Sequence, residues 1–188
     1  MEVVSINTVE PIRDINVVHD IADYLRDQSE RNYVLFMTGI YSGLRISDIL
    51  KLRVRDVRGK DKISIREEKT GKERKFLMNK NLKKCLQEYI ADMKDYEFLF
   101  KSRQGANKPM SRQRAWAILR SAGRKFGLDS IGTHTLRKTF GYHMYQQTHD
   151  IVTIQQILNH STPDYTLRYI GINQDTIDKA MNNLSYNF

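Results

Sequence analysis

Arg45, His134, Arg137, His160 and Tyr169 are the residues whose types and order could do chemistry. Arg45 precedes Arg137 by 92 residues, and His160 and Tyr169 follow at further intervals of 23 and 9. Two arginines can grip the non-bridging oxygens of a phosphodiester through planar, bidentate donors, neutralising charge that grows as phosphorus becomes five-coordinate. Arg45 and Arg137 are the candidate pair. His134 lies three residues before Arg137, so on a helix the two share a face and can reach one phosphate, with Thr133 as N-cap. His160 can donate to a phosphate oxygen or help accept a tyrosine proton. Tyr169 is then the nucleophile, forming a phosphotyrosine that conserves the bond energy and needs neither ATP nor metal. Tyr165 shares its helical face and is the competing hydroxyl. The leaving oxygen needs a proton, and the turn Lys69-Thr70-Gly71-Lys72 offers a mobile ammonium, Lys69 first and Lys72 second.

These side chains need elements to hold them. Asn16 can cap a helix carrying Val17, Val18, Ile21, Tyr24 and Leu25 at helical spacing, and residues 33–41 read as a nearly all-apolar, buried second helix. Ser42-Gly43 ends it, and a short helix starting at Ser47, with Asp48 in its first turn, leaves Arg45 in a tight joint. From 53 to 78 the pattern turns to alternation, with Val54 and Val57, Ile63 and Ile65, then Phe76 and Met78, so a three-stranded antiparallel sheet is expected. Helical spacing returns at 79–93, and Ser111 caps a helix carrying Ala115, Trp116, Ile118 and Leu119. Further helices are expected at 133–147, 150–158, 163–169 and 174–183. The result is a mainly α chain with one small sheet, a single domain over 1–188.

Composition narrows the partners. With 31 Lys+Arg against 22 Asp+Glu the formal charge is +9 and the pI about 9.6, which suits a polyanion bound through phosphate contacts and counterion release. Arg112 and Arg114, beside Trp116, put positive charge on one helix, where phosphate contact is the expected role, and Lys72 is the third residue expected to bind DNA. The five histidines and one cysteine show no zinc-ligand spacing, and no acidic cluster suggests a two-metal nuclease. No metal or other cofactor is expected. Cys85 falls on the apolar face of a helix and reads as core in a reducing compartment. With neither a basic leader nor a long apolar run, the expectation is a cytoplasmic protein without membrane contact.

The chain resembles the tyrosine recombinase (phage integrase) family over essentially its whole length, as the catalytic domain alone. The resemblance is carried by Ser42-Gly43-Leu44-Arg45-Ile46-Ser47-Asp48, Lys69 in its hairpin, His134-Thr135-Leu136-Arg137, Leu158-Asn159-His160-Ser161 and Thr166-Leu167-Arg168-Tyr169. It implies the fold of that catalytic domain, and it favours Tyr169 over Tyr165. It further implies that Asp48 buttresses Arg45, that double-stranded DNA is cut and rejoined through a 3′-phosphotyrosine, and that the segment after Tyr169 packs on a neighbour in a homotetrameric synapse. A bacterial or phage origin goes with it. Asn159 stands where the family usually has glycine, and Lys138 where histidine is frequent; no catalytic role is assigned to Lys138. The N-terminal core-binding domain that most relatives carry is not expected here, the resemblance being to the catalytic domain alone. Two other functions use similar parts: a DNA-binding regulator that keeps the fold without useful catalysis, and a type IB topoisomerase that relaxes DNA.

Overall fold

The computed structural model describes residues 9–66, 71 and 73–184. Helix α1, Ile15–Gln28, is capped by Asp14, whose carboxylate accepts from the Asn16 N–H at 2.8 Å. The cap therefore lies two residues before the expected Asn16, because an ionised carboxylate in extended backbone reaches the first-turn donors. Helix α2, Glu30–Ser42, is sequestered on one side by α1, α5 (Lys80–Tyr89) and α7 (Thr133–Thr148). Its residues Val34, Leu35 and Phe36 are at most 1% exposed, and such burial stabilises by roughly 1.5–3 kcal/mol per large side chain.

The sheet has two strands where three were expected. Strands β1, Lys62–Arg66, and β2, Glu73–Leu77, pair antiparallel with Ile63 opposite Phe76. The segment expected to be the third strand forms a one-turn helix, α4, Val54–Val57, after the equally short α3, Ile46–Ile49. Val54 and Val57 are three apart, a separation that fits a helix face better than a pleat, and both are fully buried. Asp56 seals the turn by accepting from the Arg53 N–H at 2.8 Å. Arg53 itself forms an isolated bridge to Phe98 and belongs to neither strand. Arg66 Nε donates to Gly71 O at 3.0 Å across the hairpin, while Lys69 and Lys72 lie outside the described residues.

Ser111 caps α6, Arg112–Lys125, as expected. Helices α8, Ile151–Leu158, α9, Pro163–Ile170, and α10, Ile172–Asn182, complete the chain. Two cores result. The larger joins α1 to α7 with the sheet; a smaller one, built on Ile154, Leu158, Ile170 and Ile172, sits under α8 to α10. Helix α7 touches both. At Gly141 a Cβ would come within 2.6 Å of Ile170, so only glycine lets α7 and α9 approach this closely. Among the described residues no helix is long and apolar enough to cross a membrane.

Candidate active site

The joint between α2 and α3 sets the first arginine. Gly43 closes α2 in the left-handed conformation at φ 60°, and a Cβ there would lie 2.5 Å from the Phe140 ring, so strain and collision both demand glycine. The chain then reverses, and Arg45 becomes the N-cap of α3 in extended backbone, with Asp48 one turn on, 4% exposed. The helix therefore starts one residue before the expected Ser47. Arg45, Ser47, Thr133, His134, Arg137 and Arg112 together line a cleft of about 390 Å³.

Arg137 is the centre of the site. It is only 3% exposed, and its guanidinium donates to the carbonyls of Gly43 and Leu158, tying the end of α2 to the end of α8. Its positive charge favours the ionised form of Tyr169. His134, on the first turn of α7, places Nδ1 3.4 Å from that hydroxyl. Gly132, not Thr133, occupies the cap position, and Thr133 is the first helical residue. The hydroxyl that His134 meets is that of Tyr169. The Tyr165 ring is stacked against it at 6.2 Å and is 46% exposed.

His160 is delivered by a left-handed turn at Asn159, φ 50°, which ends α8 and lets the His160 N–H donate to Gln155 O at 3.0 Å. Asparagine does here what glycine would do, because its short polar side chain tolerates this region. The His160 ring meets Tyr169 edge-on at 4.7 Å and Tyr165 at 4.9 Å. Its Nδ1 lies 3.2 Å from Thr166 Oγ1, and that hydroxyl donates onward to Thr162 O at 3.0 Å. Having spent its proton, the Thr166 oxygen accepts, so Nδ1 carries the hydrogen and Nε2 is left as a base. Burial, reinforced by Arg137 and then Arg45, lowers the His160 pKa to about 4; the ring is neutral at pH 7. Burial raises the Tyr169 pKa, with Arg137 and Arg45 pulling the other way.

Thus the structure brings Arg45, His134, Arg137, His160 and Tyr169 together and leaves Asp48 buried on the one-turn helix that Arg45 caps. Of the three basic residues assigned to DNA, Arg112 lines the cleft itself, Arg114 lines an adjoining recess, and Lys72 is outside the described residues. One residue given no role is also present: Lys138, 9% exposed, holds its Nζ 5.1 Å from the centre of the Tyr169 ring. Its place beside Arg137 was the only sequence signal, and one helical residue further round points it at the tyrosine from another side.

Fold and site define the catalytic domain of a tyrosine recombinase. Residues 14–175 match the profile of the phage integrase family, and the chain belongs to that family. It is 52% identical over 172 residues to the probable integrase/recombinase YoeC of Bacillus subtilis (strain 168), covering 92% of this chain and 94% of that protein. The fold matches the crystal structure of XerA recombinase with a TM-score of 0.74 at 24% identity, over 95% of this chain and 68% of that one. It also matches XerH site-specific recombinase, bound to a palindromic difH substrate in a post-cleavage complex, with a TM-score of 0.69 at 18% identity, over 94% of this chain. This chain spans 54% of the XerH chain. Site-specific DNA recombination is the function that goes with membership of this family.

Proposed function

We propose that this domain cuts and rejoins double-stranded DNA through Tyr169. Arg45 and Arg137 hold the scissile phosphate, and the Tyr169 oxygen attacks phosphorus as its proton passes to a neighbouring imidazole, His134 or the neutral His160. The bond to the 5′-oxygen breaks, leaving a 3′-phosphotyrosine, and Lys69, with Lys72 second, supplies the proton that the leaving oxygen takes. Attack by a 5′-hydroxyl from a partner strand reverses these steps and releases the tyrosine, so the exchange consumes neither ATP nor metal. Asp48 steadies Arg45 from behind.

The observation that carries this reading is the Tyr169 hydroxyl, 3.4 Å from His134, which with Arg45 and Arg137 lines the cleft. The test is a nicked suicide duplex, taken from DNA flanking the gene, incubated in EDTA with wild type and Tyr169→Phe and then denatured. Wild type is expected to form a covalent adduct and the variant none, while both bind DNA within a few-fold. Tight binding without an adduct would instead favour the regulator.

Paired strand exchange requires several protomers, and a homotetramer joined through the C-terminal segment belongs to the same proposal. Helix α10 and the residues after it expose Ile177, Met181 and Leu184 at 54–65%, spaced along one helical face. A groove of about 310 Å³ lined by Ile15, Val18, Ala22, Met37 and Ile40 between α1 and α2 offers them an apolar seat on a second copy. The cytoplasm of a bacterium, on phage or other mobile DNA, is the proposed setting.

A further inference from the structure

A second recess, of about 500 Å³, begins one residue from the active-site cleft. Ser111 and Arg114 line it, whereas the intervening Arg112 lines the cleft. Its other walls come from Arg31, at the start of α2, and from the 102–110 loop, which contributes Arg103 and Lys108. No Asp or Glu lines it, and among the described residues none of these four cations has a carboxylate partner. The loop is held in a fixed shape. Ser102 N–H donates to Lys108 O and Met110 N–H to Phe100 O, both at 2.7 Å, and Asn107 Oδ1 accepts from Phe98 N–H at 3.1 Å.

Arg31 makes the imbalance explicit. Its guanidinium donates to two neutral acceptors, Lys101 O at 2.5 Å and Asn32 Oδ1 at 3.3 Å, and its buried Nε–H has no hydrogen-bond partner. Burial holds its pKa below the usual arginine range, and Arg103 and Arg114 add repulsion. Charges gathered at one concavity without counter-charge oppose one another, and the cost is relieved when an anion enters. The first turn of α6, a 14-residue helix starting at Arg112, adds its N-terminal partial positive charge at the same rim.

We propose that this recess is a second, non-catalytic phosphate site, holding a backbone phosphodiester of the same duplex a few nucleotides from the scissile one. Consecutive residues are about 3.8 Å apart and nucleotides of one strand rise about 3.4 Å each, so a recess one residue from the cleft meets the duplex close to the cut. Two fixed phosphates define a register where one leaves the duplex free to pivot. The recess thereby selects which linkage reaches Tyr169. This inference rests on the DNA-cleaving reading of the Tyr169 site.

The test measures affinity against salt for the full chain on the flanking duplex, comparing wild type with Arg103→Ala/Arg114→Ala. The charge-matched control is Lys80→Ala/Lys84→Ala, two exposed lysines of α5 that line neither concavity. A second series places one uncharged methylphosphonate at each linkage in turn. The recess variant is expected to bind about tenfold more weakly, by loss of a charge-assisted contact, and to lose about 0.9 from the log–log salt slope. It should also ignore one non-scissile methylphosphonate that weakens wild type by a similar factor. A recess variant that matches the control in slope, or stays sensitive to every linkage that wild type senses, overturns the anchor. So does wild type that binds inorganic phosphate at the recess while no non-scissile linkage matters. If wild type still forms its tyrosine adduct in those cases, the cleavage reading stands alone; if wild type neither binds nor forms an adduct, both fall.

Discussion

The two arginines and the proposed nucleophile, Tyr169, stand in differently built regions of one site. Arg45 lies between Leu44 and Ile46, and Arg137 follows Leu136; all three apolar residues belong to the large core shared by α1 to α7. Tyr169 rides on α9, whose inner residues rest on the small separate core of Ile154, Leu158, Ile170 and Ile172. Segments with few buried apolar contacts open at a lower free energy than the whole molecule. The difference teaches that the two proposed phosphate-binding arginines are anchored in the large core, while the proposed nucleophile is carried by a smaller unit joined to them through the Arg137 contact with Leu158 O.

Arg137→Ala breaks the comparison most severely, because this side chain donates to both regions, at Gly43 O and Leu158 O. Single-turnover adduct formation is expected to fall about 10³-fold, on the order of 4 kcal/mol of transition-state stabilisation. Leaving two carbonyls without their donor should cost a further ~1–3 kcal/mol each in folding stability. Arg45→Ala should lose cleavage to a similar degree with a smaller drop in Tm. Equal melting temperatures for the two variants would show that Arg137 is not the link.

Next in size is Leu158→Ala, which empties the small core at a cost of roughly 2–5 kcal/mol. Amide exchange should quicken in α8 to α10 and stay slow in α2. Leu136→Ala, with the same atoms removed from the large core, should speed exchange in both. Uniform acceleration by Leu158→Ala would mean a single cooperative unit.

Acidity sharpens the same boundary. The His160 pKa in the folded chain, about 4, lies below the ordinary 6.5, so between these values the unfolded chain binds the proton more readily. The stabilisation is present above about pH 6.5 and is lost as pH falls from there to about 4. Tm should therefore drop further between pH 7 and pH 4.5 for wild type than for His160→Gln; parallel drops would remove His160 as the cause.

The smallest effect belongs to the turn that presents this histidine. Asn159→Gly should raise stability by no more than about 1 kcal/mol and Asn159→Val lower it by about 1–2 kcal/mol, since only the branched residue resists φ 50°. Thermal melts of the pair check this, and a neutral valine variant would show that the turn carries no strain.

The sequence by itself determined the chemistry and most of the helices. Periodicity marks helices because a buried face must recur every three to four residues, and the order of Arg45, His134, Arg137, His160 and Tyr169 survives in any conformation. Its errors fell where pattern is short. Val54 and Val57 have a helical separation, but beside the alternating run that follows, two apolar residues read as a strand, and it is as a turn of helix that they pack into the large core. What the tertiary structure decided was proximity. Lys138 at the Tyr169 ring, Thr166 fixing the proton of His160, Arg112 in the cleft beside Arg45 and the uncompensated cations around Arg31 all depend on contacts between distant segments. Local composition cannot encode such meetings, because they are fixed by how α2, α6, α7 and α9 pack, and a distance in space is a property of that packing alone.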